Sequence, residues 1–163
     1  HWMTLEHPDL EREDAPRTLS AWVESANGRL DGHAEHLVNW GTAATNRAFG
    51  MMLFWNDHWY AYLHDYDLST NVAADQQWHH LTVTLVRGTV TVYVDGQKRA
   101  TANRSPATTS GPLVIGTRVD FHAGTMFDGA LDEIRIYDRV LGDDEGVRFP
   151  PWCYADGRIG WAG

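Results

Sequence analysis

Apolar positions along most of this chain recur every second residue. In "TLSAWVE" (18–24), Leu19, Ala21 and Val23 alternate with Ser20, Trp22 and Glu24. That period places one set of side chains on each face of an extended strand. "HLVNW" (36–40), "RAFGMMLFW" (47–55) and "HWYAYLH" (58–64) are further strand candidates, the last two divided by a tight turn at Asn56 and Asp57. The clearest stretch is 78–100, "WHHLTVTLVRGTVTVYVDGQKRA". Leu81, Val83 and Leu85 alternate with threonines, and Val90, Val92 and Val94 resume the pattern after Arg87-Gly88. Asp95-Gly96 is a two-residue hairpin signal, because a type I′ turn needs positive φ at both positions. "GPLVIGT" (111–117) and "ALDEIRIYD" (130–138) complete the strands, and "LGDDEGVRF" (141–149) suits a single helical turn. Many short strands joined by Gly, Asn and Asp turns predict an all-β, antiparallel two-sheet sandwich. With no internal repeat or linker, residues 1–163 read as one domain.

Composition narrows the function. The chain has 163 residues, enough for one sizeable core. Its net charge is −9, and no basic stripe is visible, which argues against nucleic acid and against acidic membrane surfaces. No apolar run approaches the roughly 18 residues of a bilayer span. Cys153 is the only cysteine, so no disulfide can close within the chain and the compartment stays open. No signal peptide is legible; Met3 could be an initiator, or the chain could be an excised fragment. Eight tryptophans exceed what a core of this size needs and suit a surface that stacks on flat apolar faces.

The acids of "FDGALDEIRIYD" (127–138) are the obvious candidates for catalysis. Retaining glycosidases hold two carboxyls about 5 Å apart, and inverting ones about 6.5–9.5 Å. On a regular strand Asp132 shares a face with Ile134, Ile136 and Asp138. Six residues at about 3.3 Å each put Asp132 and Asp138 about 20 Å apart, too far to cooperate. Glu133 shares its face with Arg135, a surface pair. Asp128-Gly129 reads as a turn.

The aromatic candidates cluster in "FWNDHWYAYLHDYD" (54–67). Trp59, Ala61 and Leu63 are expected inward, leaving Tyr60, Tyr62 and His64 as an exposed row with Trp55 and Asp57 at the hairpin tip. Rings would cover the C–H faces of a sugar, and His64 and Asp57 would select its hydroxyls. The other readings are a sheet buried on both sides, or an oligomer contact. His79 and His80 are strand neighbours and point to opposite faces, so they cannot easily share a metal. His33 and His36 lack a helical context for zinc.

Four of these segments, in order, carry a family likeness: "TLSAWVE", "WHHLTVTLVRGTVTVYVDGQ", "PLVIGT" and "FDGALDEIRIYDRVLGDDE". Over residues 17–146 the chain resembles a laminin G-like domain of the concanavalin A-like lectin/glucanase superfamily. The resemblance implies a two-sheet jelly roll and a non-catalytic module that binds glycans or proteins outside the cell. It also implies a core position for Trp78, which resembles the family's "W-H" strand start, and a calcium ion held through Asp132; otherwise Asp132 is an acid that hydrogen-bonds a neighbouring loop. The Glu-x-Asp-x-x-Glu strand of laminarinase-type relatives is missing. The family's early strand and loop are also missing, while the tail "WCYADGRIGWAG" (152–163) resembles that strand and could replace it by permutation or strand exchange. The expected function is lectin-like carbohydrate binding through Trp55, Asp57, Tyr60, Tyr62 and His64. A protein-interaction or homo-oligomerisation domain and a glycan-active enzyme are the alternatives.

Overall fold

The structure is a computed structural model that describes residues 1–6, 9–26 and 33–141. Its strands are β1 (Met3–Leu5), β2 (Arg17–Ser25), β3 (Glu35–Gly41), β4 (Ala48–Leu53), β5 (His58–Tyr62), β6 (Leu68–Ala73), β7 (His79–Val86), β8 (Thr89–Val94), β9 (Gln97–Asn103), β10 (Leu113–Ile115) and β11 (Gly129–Tyr137). They form two antiparallel sheets, ordered β1-β10-β3-β4-β5-β6 and β11-β2-β7-β8-β9. The predicted sandwich is therefore the observed one. Strands β1 and β6 were not foreseen: the first is three residues long, and "LSTNVA" is polar and takes a left-handed turn at Asn71 (φ 55°).

The core lies between the sheets. One side contributes Leu19, Ala21, Val23, Leu81, Val83, Leu85, Val90, Val92 and Val94; the other contributes Leu37, Val38, Trp40, Phe49, Met51, Leu53, Trp59, Ala61 and Leu63. Each large apolar side chain removed from water stabilises the fold by about 1.5–3 kcal/mol. The turns obey local chemistry. Asp95 and Gly96 have φ of 53° and 72°, and Arg87 and Gly88 of 48° and 75°, as primed hairpin turns require.

Three features depart from a regular sandwich. First, Arg17 is fully buried where β2 begins. Its guanidinium donates to the carbonyls of Ala15 (2.9 Å), Glu11 (2.7 Å), Arg12 (2.9 Å) and Glu13 (2.5 Å) and lies 5.0 Å from the Phe49 ring centroid. Burial lowers its pKa to about 10 against the pull of Glu11 and Asp14, so it stays charged at neutral pH. Second, β11 carries a bulge between Asp132 and Arg135, with Glu133 at φ 51°. The extra residue shifts the alternation: Leu131, Ile134 and Ile136 pack on the core, and Asp132 is exposed, not on the face of Ile134 and Ile136 as regular pairing predicts. Third, Trp78, expected in the core, is 38% exposed. Residues 142–163, which hold the expected helical turn and the tail proposed as an edge strand, lie outside the described residues.

Candidate functional site

The outer face of the six-stranded sheet is covered over β3 and β4. Strands β3 and β4 are buried along their whole length, on both sides. The connection from β10 to β11 (116–128) folds over this face, and Asn39 holds it there. Asn39 pairs with Gly50 and so points away from the core. Its amide donates to the carbonyls of Thr117 (2.8 Å) and Val114 (3.3 Å), and its Oδ1 accepts from Val119 N (2.9 Å). The same connection is tied down where His36 N donates to Thr125 O (3.0 Å). Gly50 is obligatory beneath it, because a Cβ there would overlap the Val38 carbonyl and the Asn39 Cβ.

This cover changes the predicted aromatic row. Trp59, Ala61 and Leu63 do face the core. Tyr62, expected to be exposed, is only 3% exposed, packed on the outer face with Ala48 and Met52. The His36 ring meets it edge-on at 4.3 Å, and its hydroxyl lies 2.8 Å from His64 Nδ1. Tyr62 therefore cannot serve as a stacking platform. Burial raises its pKa further above the ordinary phenol range, keeping it a neutral hydroxyl. His36 is 2% exposed, with no hydrogen-bond partner for Nδ1 among the described residues. Burial, aided by the nearby Arg118 charge, lowers its pKa to about 3. His64 remains partly accessible beside Asp65, with left-handed backbone at both residues (φ 53° and 69°).

Sequence reasoning missed Arg118 and Asp120, which the cover carries to the edge of this cluster. Arg118 Nε and Nη2 donate to the two oxygens of Asp120 at 2.7 and 2.9 Å. The pair holds the Asp120 carboxyl below, and the Arg118 guanidinium above, its usual range. No regular period marks this loop, so nothing in the local pattern singled it out.

At the β4–β5 end, Trp55 is 56% exposed. Phe54 links it to Tyr60, with ring centroids at 5.8 and 4.9 Å, and Asn56 Nδ2 donates to the half-buried Tyr60 hydroxyl at 3.1 Å. Asp57 serves the turn instead: its N–H donates to Phe54 O, its carbonyl accepts from Ala74 N, and its φ is 59°. The structure thus places Trp55 and Tyr60 at one accessible end, Tyr62 on β5 under the cover, His64 just past that strand and partly accessible, and Asp57 within the turn.

Asp132 spends Oδ1 on the N–H of Glu133 (2.7 Å), and Glu133 pairs with Arg135 on the surface. Among the described residues no three His, Cys, Asp or Glu side chains gather where they could hold a metal. Calcium wants six to eight oxygens, and Asp132 stands in no such cluster among the described residues. An open cleft of about 530 Å³, lined by Arg12, Arg47, Pro106 and Thr109 among others, lies between the connection from β1 to β2 and that from β9 to β10. Its lining has no aromatic ring, unlike the Trp55–Tyr60 end.

Comparison with known proteins fits this architecture. No curated protein matches the chain in sequence. Among solved structures, a Bacteroides ovatus protein described as carbohydrate-binding superposes with TM-score 0.70 at 13% identity, over 88% of this chain and 43% of that one. The Ruminococcus gnavus sialidase CBM40 module bound to α2,3-sialyllactose gives 0.64 at 14% identity, over 83% and 81%. A Trypanosoma rangeli sialidase gives 0.63 at 20% identity, over 83% of this chain but only 22% of the enzyme. At these identities the likeness is one of fold. A family model described as the concanavalin A-like lectin/glucanases superfamily, of laminin G type, matches residues 1–145. With the two antiparallel sheets and the strand signatures agreeing, the chain belongs to this laminin G-like family of the concanavalin A-like superfamily.

Proposed function

We propose that this domain is a non-catalytic carbohydrate-recognition module that binds its ligand along the accessible edge of β5. The observation that carries the reading is the exposed Trp55, coupled through Phe54 to Tyr60. A half-exposed indole and a phenol on one edge offer flat apolar area at low entropic cost, which suits the C–H face of a sugar ring. Asn56, His64 and the Arg118–Asp120 pair supply the polar selection. The carbohydrate-binding descriptions of the Bacteroides and Ruminococcus structures support the class of ligand.

The non-catalytic part rests on how the nearby carboxylates are engaged. Asp120 gives both oxygens to Arg118, Asp65 Oδ2 accepts from Thr45 Oγ1, and Asp67 Oδ1 accepts from Leu63 N. Burial also raises the Asp67 pKa, against that hydrogen bond. The test is a glycan array followed by titration of Trp55→Ala and Tyr60→Ala. Each variant is expected to lose about tenfold in affinity, about 1.4 kcal/mol. Unchanged binding by both variants would remove this site, and a silent array would remove the ligand class. Concentration-dependent dimerisation that protects Trp55 would favour an interface instead.

A further inference from the structure

A second exposed aromatic pair lies on the same sheet face. Trp2 and Phe121 are 52% and 45% exposed, with ring centroids 4.8 Å apart. Phe121 holds φ of 55°, a backbone region costly for a bulky side chain, and the surrounding loop maintains it there. The loop is the anchored cover described above, and Phe121 follows the Arg118–Asp120 pair directly.

Strand register places the two aromatic groups in one row. Met3 pairs with Ile115, so Trp2 falls opposite Gly116, whose N–H donates to Leu37 O (2.7 Å). Beside Leu37, His36 pairs with Met52 and Met52 with Tyr60. Tyr60 lies on the outer face, and Trp2 meets Phe121 of the loop that covers that face. From β1 to β5 there are four strand spacings, about 19 Å. Trp2 and Tyr60 thus stand at the two ends of one transverse row, Phe121 against Trp2 and Trp55 joined to Tyr60 through Phe54, with the Arg118–Asp120 pair on the connection between them.

We infer that the ligand is an uncharged oligosaccharide chain running across the strands, stacked at one end on Trp55 and Tyr60 and at the other on Trp2 and Phe121. The inference rests on the carbohydrate reading and adds the ligand's length, direction and charge. A single sugar cannot reach both platforms. The charge follows from Arg118: its guanidinium, the group that would clamp an acidic sugar, is already held by Asp120 through two hydrogen bonds. A carboxylate ligand would have to displace that partner in a chain of net charge −9. Hydroxyl groups can bond to the outer edges of the pair without breaking it.

The test is calorimetric titration of gluco-, xylo- and manno-oligosaccharides of two and six units, beside sialyllactose and an oligogalacturonate of six units. At least one neutral series should gain about tenfold in affinity between two and six units, as expected for a second linked contact. Trp2→Ala and Phe121→Ala should each abolish that gain and leave disaccharide binding unchanged. Trp2→Ala guards against a folding defect from the strained Phe121 position. Binding that ignores chain length, ignores both substitutions, or favours the acidic ligands would overturn the inference and leave the carbohydrate reading standing. If none of the sugars binds, the two fall together.

Discussion

His36 and His79 are driven in opposite directions by two different sheet environments. His36 sits under the cover of β3–β5, where burial keeps it neutral and lowers its pKa to about 3. His79 sits where β7 meets the β8–β9 hairpin. Its Nδ1 lies 2.7 Å from Asp95 and its Nε2 2.9 Å from Asp75. The Asp95 hydrogen bond and then that of Asp75 outweigh burial and raise its pKa to about 8. Asp95 itself would be raised by burial, but His79 and the His80 N–H pull it down, and His79 lowers Asp75. The same contrast runs through the two regions. Outer positions of β3 and β4 are sealed by a connection, whereas on β8 they alternate with the core and stay half-accessible. The covered region spends its sequence on close packing, and the open hairpin spends its own on turns and paired charges.

The comparison is broken most severely at Arg17, which binds a crossover connection to the sandwich. Arg17→Met would strip four carbonyls of their donor and should cost on the order of 3 kcal/mol or more in denaturant unfolding. Next comes Gly50, under the cover. Gly50→Ala forces a methyl into backbone and should destabilise by about 2–3 kcal/mol, lowering the urea midpoint. The histidines follow. As pH falls below 6.5, the unfolded chain takes a proton that folded His36 refuses. Stability should then drop by up to about 1.4 kcal/mol per pH unit, and His36→Gln should flatten that acid limb. The His79 contribution is full below about 6.5, where the ring is charged in both states. It is lost as pH rises through about 8, on the order of 1–2 kcal/mol in all, and His79→Gln should flatten the alkaline limb. The smallest effect belongs to the open face. Thr91→Ala removes a hydroxyl pair with Thr101 (3.1 Å) and should change stability by less than about 0.5 kcal/mol.

The open hairpin was legible residue by residue. Leu81, Val83 and Leu85, and Val90, Val92 and Val94, announced both the strand period and the buried face, and Asp95-Gly96 announced the turn. The covered face was half-legible. Met51 and Met52 are adjacent and both buried, one on each side of β4, and a continuous apolar run such as "AFGMMLF" signals a strand buried on both faces. Read that way, it would have withdrawn Tyr62 from the exposed row. Arg118, Asp120 and Phe121 could not be found locally, because Asn39, about 80 positions earlier, holds their loop in place. The bulge at Glu133 was equally hidden: "LDEIRI" alternates on paper, and only pairing with β2 reveals the extra residue.

The central claim is that ligand meets the edges of the covered face rather than the open hairpin. Nuclear magnetic resonance chemical-shift mapping of the full chain, titrated with the oligosaccharide that the array selects, tests it most directly. The largest shifts are expected at the Trp55 indole, Tyr60 and His64, with Thr91, Tyr93 and Thr101 unmoved. Saturable shifts on β8–β9 with a silent Trp55 would contradict it.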